Sequence, residues 1–429
     1  MRRQSVCRIL LAALVFATWP YVTHAQTLTR LVEFEGPNGL APDDTLVQGR
    51  NGKLYGTTEN GGGYDGQGLI FSLSSSAGLK GLNNFCGAKN CAGGASPGQL
   101  TLGTDGNLYG TTTYGGPRCG CGSIFRINQL GQLTYMYFFN YGFGVQAGAL
   151  VEAADGNFYG TTYGGGNSGG YGTLFRITPN GVFQTLHVFS GPDGIGPLGL
   201  TQGSDGSLYG TTLYGGNASC YSGCGTVFKM TLAGTLTTLH FFNNTTDGYS
   251  PGGGIIEATD GFFYGINNAN STAENIFKMT PQGQVTILAT VQGAGEHYAV
   301  GSLTQGSDTN LYGTTLYGGS NSLGDIFMVT LSGVVTELYS FTGPDGAYPT
   351  TTTSQATNGD FYGTTGGGGD DSCDPLAEGC GVALQSCQQS WTIHSFCSRL
   401  RQSGSCRGNL GPRLHRNHRR RIRWIARTV

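Results

Sequence analysis

The sequence predicts an all-β protein, a β-propeller of about seven four-stranded blades, on three observations. Glycine makes up 77 of the 429 residues, more than twice its usual share of about 7%. Aromatic and β-branched residues lie among the glycines throughout, which is typical of short strands joined by tight turns. A Tyr-Gly pair also recurs at intervals of 48 to 55 residues, the length of a propeller blade. Its tyrosines are Tyr55, Tyr109, Tyr159, Tyr209, Tyr264, Tyr312 and Tyr362.

Each repeat unit predicts four antiparallel strands. A short apolar stretch such as "GQLTLGT" is followed by a turn that most often reads Asp-Gly, as at Asp105, Asp155, Asp205 and Asp260. Both residue types favour tight turns, so a hairpin is expected. The second strand reads "NLYGTT", the third is of the type "TVFKM" and the fourth of the type "LTTLHFF". We expect the glycine of "YGTT" to relieve crowding between strands near the central channel.

The ends of the repeat region predict how the ring closes. No blade can bury both of its faces alone, so neighbouring blades must pack together and the ring must close. The segment "LTRLVEF", Leu28–Phe34, resembles a fourth strand with no unit before it, and we expect it to complete the last blade. In that blade the "GTVFK" strand is missing after Gly381, whereas "WTIHSF" at 391–396 resembles a fourth strand. An open β-solenoid is the competing architecture.

Residues 1–25 have the pattern of a secretory signal peptide. Arg2, Arg3 and Arg8 precede an apolar run, and "VTHAQT" offers small residues for cleavage near Ala25. We therefore expect the propeller to occupy residues 26–398 of a secreted or cell-envelope protein. We expect no transmembrane segment in the mature chain.

Charge divides the chain into an acidic body and a basic tail. Residues 26–398 hold 10 basic and 25 acidic residues, a net charge of −15, which argues against binding to nucleic acid. The tail, residues 399–429, holds ten arginines, no lysine and no acidic residue. It is either a basic arm for anionic surfaces or the product of a frameshift, since the other frame of 415–424 can encode the repeat's own "GTTGGG". We favour the frameshift, and in that case we expect the tail to be disordered or poorly packed.

The stretch "GLTQGSDGSLYGTTLYGG" followed by "GTVFKMTLAGTLTTLHFF" resembles the GloVer tandem repeat of exported bacterial proteins. The resemblance covers residues 28–370, implies secretion and implies no particular activity. "DGNLYGTT" is also similar to the "DGNLW" strands of streptogramin-lyase and sensor-type propellers. That similarity concerns an architectural element and transfers no catalytic residue.

Close pairs of cysteines predict disulfide bonds within loops, because exported thiols tend to pair. The candidate pairs are Cys86 with Cys91, Cys220 with Cys224, and Cys373 with Cys380. Cys119 and Cys121 are spaced so closely that a bond between them would be strained. Zinc is the rival interpretation, but the pairs belong to different units and lack interleaved histidines. We predict no metal and no cofactor.

Other residues give weak catalytic signals. The turn aspartates occur one per unit, without the clustered oxygen ligands that calcium needs. No helix follows the glycine-rich loops, as a phosphate-binding loop requires. His187 and His240 hold equivalent places on fourth strands, where packing or solvation explains them. Glu296 and His297 form the one neighbouring acid–base pair, and no nucleophile accompanies them.

A second set of tyrosines is the best indication of binding. Tyr114, Tyr163, Tyr214 and Tyr317 follow the Thr-Thr pair within two residues, and we expect them at equivalent places around one face of the ring. There they could stack on sugars or contact another protein, or each could pack against the neighbouring blade. The sequence thus predicts a monomeric extracellular binding or scaffold module whose partner is a carbohydrate or another surface protein. The alternative is a lyase or glycan-active enzyme that uses the central funnel.

Overall fold

The chain folds as a seven-bladed β-propeller. The computed structural model describes residues 28–386 except 43, 63–65, 75–77, 87–90, 118–119, 143, 167–168, 217–219, 271–272, 293–300, 352 and 370–378. These residues form seven small antiparallel sheets arranged in a ring. The predicted fold class is confirmed, and the open solenoid is wrong. No helix long and apolar enough to cross a membrane occurs in the described ranges.

The blades follow one another along the chain, and in each of them the first strand is innermost. Blade 1 contains β2 (Val47–Gln48), β3 (Leu54–Thr58), β4 (Leu69–Ser74) and β5 (Gly78–Asn84). Blade 2 contains β6 (Ala95–Pro97), β7 (Thr101–Leu102), β8 (Leu108–Tyr114), β9 (Ser123–Ile127) and β10 (Leu133–Phe138). Blade 3 contains β11 (Val145–Ala147), β12 (Val151–Glu152), β13 (Phe158–Gly164), β14 (Thr173–Ile177) and β15 (Phe183–Val188).

The other four blades repeat this order. Blade 4 contains β16 (Ile195–Gln202), β17 (Leu208–Tyr214), β18 (Thr226–Met230) and β19 (Leu236–Phe241). Blade 5 contains β20 (Ile256–Glu257), β21 (Phe263–Asn270), β22 (Ala273–Met279) and β23 (Val285–Gln292). Blade 6 contains β24 (Thr304–Gln305), β25 (Leu311–Thr315), β26 (Asp325–Val329) and β27 (Val335–Ser340). Blade 7 contains β28 (Ser354–Gln355), β29 (Phe361–Thr365), β30 (Val382–Ser386) and β1 (Leu28–Glu33).

Blade 7 is built from both ends of the described chain. Strand β1 pairs antiparallel with β30, from Leu28 opposite Ser386 to Glu33 opposite Val382, which confirms the expected closure. The prediction that this blade lacks its third strand is wrong. The segment "VALQS" lacks the "TVFKM" pattern, but it keeps the strand alternation and buries Val382 and Leu384. Residues 391–396 lie outside the described residues, and β1 holds the fourth-strand position.

The turn between the first and second strands is fixed by a hydrogen bond from the repeated tyrosine. In blade 3 the Tyr159 hydroxyl donates to Asp155 Oδ2 at 2.8 Å. Asp105, Asp205, Asp260 and Asp308 accept the same bond at 2.7–2.9 Å. In blades 1 and 7 an asparagine amide donates to the tyrosine hydroxyl instead. These residues therefore serve the turn, while the tyrosine ring reaches the next blade, as where Tyr109 stacks on Phe158 with centroids 3.9 Å apart.

The glycine of "YGTT" is explained by a phenylalanine on the third strand. A Cβ at Gly110 would lie 2.5 Å from Cζ of Phe125, the residue opposite it in the neighbouring strand. The same contact recurs at Gly160 with Phe175 and at Gly210 with Phe228. The expectation of crowding at the channel is therefore wrong, since the glycine makes room for a ring inside its own blade.

The two threonines of the repeat have different partners. The Thr111 hydroxyl donates to Gly148 O on the inner edge of blade 3 at 3.1 Å. In blade 7, Thr364 makes the corresponding bond to Asp44 O of blade 1 at 3.0 Å. The second threonine stays within its blade, where Thr112 bonds Ser123 and the carbonyl of Tyr114. The repeat thus joins neighbouring blades and positions the residues that follow it.

Candidate binding face

The strand order places two kinds of connection on opposite faces of the ring. The turns from first to second strand and from third to fourth strand lie on one side, which we call the lower face. The loops from second to third strand, and the connections between blades, lie on the other side, which we call the upper face. The tyrosines predicted to bind and the paired cysteines belong to the upper face.

The structure brings the four tyrosines to this face with unequal exposure. Tyr114, Tyr163 and Tyr317 are 49%, 41% and 40% exposed, whereas Tyr214 is half-buried. Tyr114 and Tyr214 hold equivalent positions, because they pair with Ala95 and Ile195.

Tyr163 is out of register with these tyrosines. It directly follows the threonine pair, one residue earlier than the others, so its side chain lies on the opposite face of its strand. The expectation of full equivalence around the ring is therefore wrong for Tyr163.

Two of the tyrosines also pack against the following blade. A Cβ on Gly196, in the first strand of blade 4, would lie 2.8 Å from Cε2 of Tyr163. Tyr317 meets Tyr348, on the segment that enters blade 7, edge to face with centroids 5.5 Å apart. The rings of Tyr163 and Tyr317 are therefore each packed on one side and open to solvent on the other.

Disulfide bonds brace the upper-face loops. Cys220 and Cys224 are joined in the loop of blade 4, with Cα atoms 5.2 Å apart. Cys86 and Cys91 are joined in the connection from blade 1 to blade 2. Cys121 and Cys380 are also disulfide-bonded, while Cys119 and Cys373 lie outside the described residues.

Two histidine–aspartate pairs brace the connections between blades. His187 Nε2 lies 2.8 Å from Asp193 Oδ2, and the imidazole edge rests on Phe189. Burial opposes ionisation of Asp193, but the Ser190 N–H and His187 outweigh it and lower the pKa of this carboxyl. His240 and Asp247 repeat the pair at 2.8 Å. The imidazoles therefore hold loops in place, in line with the packing role predicted for them.

The repeat pattern missed two exposed aromatic residues. Tyr141 is 70% exposed in the connection from blade 2 to blade 3, and Tyr221 is fully exposed between Cys220 and Cys224. Neither residue belongs to the repeat, so recurrence could not identify them, although the cysteines around Tyr221 were a usable signal. The Glu296–His297 pair lies outside the described residues.

The chain belongs to the Gloeobacter/Verrucomicrobia repeat family, which it matches over residues 17–222 and 196–373. No curated protein matches it.

Solved structures share the fold at low sequence identity. A catalytically inactive variant of virginiamycin B lyase from Staphylococcus aureus, with quinupristin, is 16% identical and superposes with a TM-score of 0.53 over 84% of this chain and 99% of that one. The extracellular domain of the hybrid two-component system BT3049 from B. thetaiotaomicron is 13% identical, with a TM-score of 0.55 over 84% of this chain and 42% of that one. The extracellular domain of BT4673 from the same organism is 12% identical, with a TM-score of 0.54 over 85% and 43%.

Proposed function

We propose that the protein is an exported binding module that engages its ligand with the upper face. This proposal rests on the position of the exposed tyrosines, which lie on one face of the ring. Every tyrosine that is at least 40% exposed in the described part of the chain lies on the upper face: Tyr114, Tyr141, Tyr163, Tyr221 and Tyr317. Exposed aromatic side chains on a rigid scaffold are the usual anchors of binding sites. The ligand is a carbohydrate or another surface protein, contacted by Tyr114, Tyr163, Tyr214 and Tyr317.

Export agrees with the covalent structure. Disulfide bonds form and persist outside the cytoplasm, and the described chain contains Cys86–Cys91 and Cys220–Cys224. Two of the similar structures are extracellular domains. These features support secretion after cleavage near Ala25, and N-terminal sequencing of the exported protein would test that cleavage site.

The inner edge of the ring favours binding over catalysis in the central funnel. The segments that enter the first strands offer main-chain carbonyls to the threonines of the preceding blades, as at Gly98, Gly148 and Gly253. Both described histidines lie on fourth strands, far from this edge in the strand order. Glu152 and Glu257 do lie on first strands, but their carboxylates bond Thr104 and Ser204 of the preceding blades. An enzyme of the lyase type remains the second candidate, because one of the similar propellers is a lyase.

The test is binding of the labelled protein to a glycan array and to isolated cell envelopes. We expect the variant with Tyr→Ala at 114, 163, 214 and 317 to lose retention while keeping the thermal midpoint within a few degrees. Leu130→Ala is the matched control, because Leu130 is 83% exposed on the lower face, and it should bind normally. Full retention by the fourfold variant would show that Tyr114, Tyr163, Tyr214 and Tyr317 are not the ligand contacts.

A further inference from the structure

The exposed tyrosines are concentrated in one sector of the upper face. Four of them and the half-buried Tyr214 lie within blades 2 to 4 or in the connection between blades 2 and 3, and we call these five residues the aromatic arc: Tyr114, Tyr141, Tyr163, Tyr214 and Tyr221. Blade 5 interrupts the series, because Ile266 and Asn267 replace its threonines and its second and third strands extend to Asn270 and Ala273. Tyr317 in blade 6 therefore stands apart from the arc.

Tyr221 is the most exposed member of the arc and is held in a constrained loop. The Cys220–Cys224 bond closes a loop of five residues, and Gly223 N donates to Cys220 O at 3.1 Å. Cys224 is fully buried, and its carbonyl accepts a bond from Ser250 N at 2.8 Å. A rigid loop that presents a ring to solvent lowers the entropy cost of binding, so Tyr221 is preorganised for contact.

The sector around the arc is almost free of charge. The upper-face segments 115–122, 139–147, 164–172, 189–197, 215–225 and 242–251 contain three charged residues, Arg118, Asp193 and Asp247. Each of these carboxylates is bonded to a histidine and to a neighbouring loop residue. The remaining residues are mainly Gly, Ser, Asn and Thr. Where the structure describes them, they separate the rings and supply hydroxyl, amide and main-chain hydrogen-bonding groups in place of one continuous apolar patch.

We infer that the aromatic arc binds an uncharged polysaccharide chain. Tyrosine rings stack on the apolar C–H faces of sugars, and the polar groups between the rings match sugar hydroxyls. A cationic polymer would find only carboxylates that are already bonded to histidines, and an anionic polymer would find a single cation, Arg118, in the sequence of these segments. A protein partner would need a more continuous apolar core. This inference rests on the proposed function, and it adds the sector, the ligand class and two contact residues, Tyr141 and Tyr221.

The test is affinity electrophoresis of the full chain in gels that contain single polysaccharides. Mixed-linkage β-glucan, xylan and galactomannan serve as neutral probes, and alginate and polygalacturonate serve as anionic probes. We expect retardation by at least one neutral probe and by neither anionic probe. The double variant Y141A/Y221A should raise the dissociation constant for that probe about tenfold or more, while Y317A and the lower-face control L130A should change it less than about twofold.

Three results would overturn the inference. They are no retardation by any neutral probe, equal retardation by the anionic probes, or an unchanged dissociation constant in Y141A/Y221A. The proposed function fails separately, when the fourfold Tyr→Ala variant keeps its binding to cell envelopes. A protein that loses envelope binding in the fourfold variant, yet ignores every neutral polysaccharide, would keep the proposed function and refute the arc.

Discussion

Blades 4 and 7 use the same strand plan but fill their cores differently. In blade 4 the Phe228 ring covers Gly210, and Leu200 closes the space beside them. In blade 7 the equivalent positions are Leu384, Gly363 and Thr353. The smaller side chains leave a cavity of about 10 Å³ between blades 6 and 7. Among the described residues that line it, the side-chain hydroxyls of Thr351 and Thr353 are buried without a hydrogen-bond partner.

The hydrogen bonds from blade 7 to blade 1 nevertheless repeat those between blades 2 and 3. Besides the bond from Thr364, Ser354 donates to Leu46 O at 2.6 Å, and Thr357 N donates to Gln48 Oε1 at 2.9 Å. The pairing of β1 with β30 adds a strand from the other end of the described chain to the same sheet. Strand pairing and hydrogen bonds therefore close the ring, and the closing blade is packed less densely than blade 4.

Adding one methyl group should distinguish the two cores most clearly. Gly210→Ala places a Cβ 2.5 Å from Phe228 Cζ, and such overpacking costs about 1–3 kcal/mol of unfolding free energy. Gly363→Ala meets only Thr353 Cγ2, at 3.1 Å, beside the cavity. It should change stability by less than about 0.5 kcal/mol, because alanine also reduces the entropy of the unfolded chain. Urea unfolding of both variants measures the difference.

Equal destabilisation by the two alanines would show that the core of blade 7 is as tight as that of blade 4. Gly359→Ala is a useful third variant, because Gly359 has a φ of 85° and no atom within 4 Å of an added Cβ. Any loss of stability there reports backbone strain alone.

Removing an unsatisfied hydroxyl should stabilise the closing blade. Thr353→Val keeps the size and β-branching of the side chain but removes a buried group without a partner, so we expect a gain of about 1 kcal/mol. Thr314→Val is the matched control, because the Thr314 hydroxyl donates to Thr351 O at 3.1 Å, and losing that bond should cost about 1 kcal/mol. Thermal unfolding measures the expected gain in stability for Thr353→Val and the expected loss for Thr314→Val. Destabilisation by Thr353→Val would mean that the Thr353 hydroxyl has a hydrogen-bond partner in solution.

Recurrence in the sequence could predict the fold but not the differences among blades. The seven Tyr-Gly pairs and the leading strand at Leu28–Phe34 were enough to predict the ring and its closure. The third strand of blade 7 was missed because Leu384 stands where the pattern has a phenylalanine. The strand forms without that phenylalanine. The partner of the repeat glycine was also missed, since Gly110 and Phe125 are adjacent only after the strands pair.

The binding face was only partly predictable for a related reason. Tyr114 was found because it recurs, whereas Tyr141 and Tyr221 occur once each, in loops where no repeat constrains the sequence. Their exposure depends on where those loops point. The direction of these loops follows from the strand order and, for Tyr221, from the Cys220–Cys224 bond. A pattern of single residues in the sequence does not show it.

The smallest expected effect concerns charge in the turns of blades 3 and 7. Blade 3 has Asp155 followed by Asn157, whereas blade 7 has Asn358 followed by Asp360, so the carboxylate and the amide exchange places. Asn157 Nδ2 donates to Asp155 at 2.8 Å, and Asn358 Nδ2 donates to Asp360 at 2.8 Å. Burial opposes ionisation of Asp155, but the hydrogen bonds from Asn157 and Tyr159 outweigh it and lower its pKa.

Each exchange should therefore weaken the fold more at neutral pH than at low pH, for a different reason. A carboxyl with a lowered pKa in the folded state stabilises the fold above its unfolded pKa of about 4, and the contribution is lost as the pH falls through the folded value. Asp155→Asn should thus make the loss of stability below about pH 4 shallower. Asn358→Asp instead sets a carboxylate against Asp360, so stability should fall as the pH rises through about 4. Urea midpoints from pH 3 to pH 7 test both expectations, and a destabilisation relative to the parent protein that does not grow as the pH rises through about 4 would contradict the assignment of carboxylate and amide in these turns.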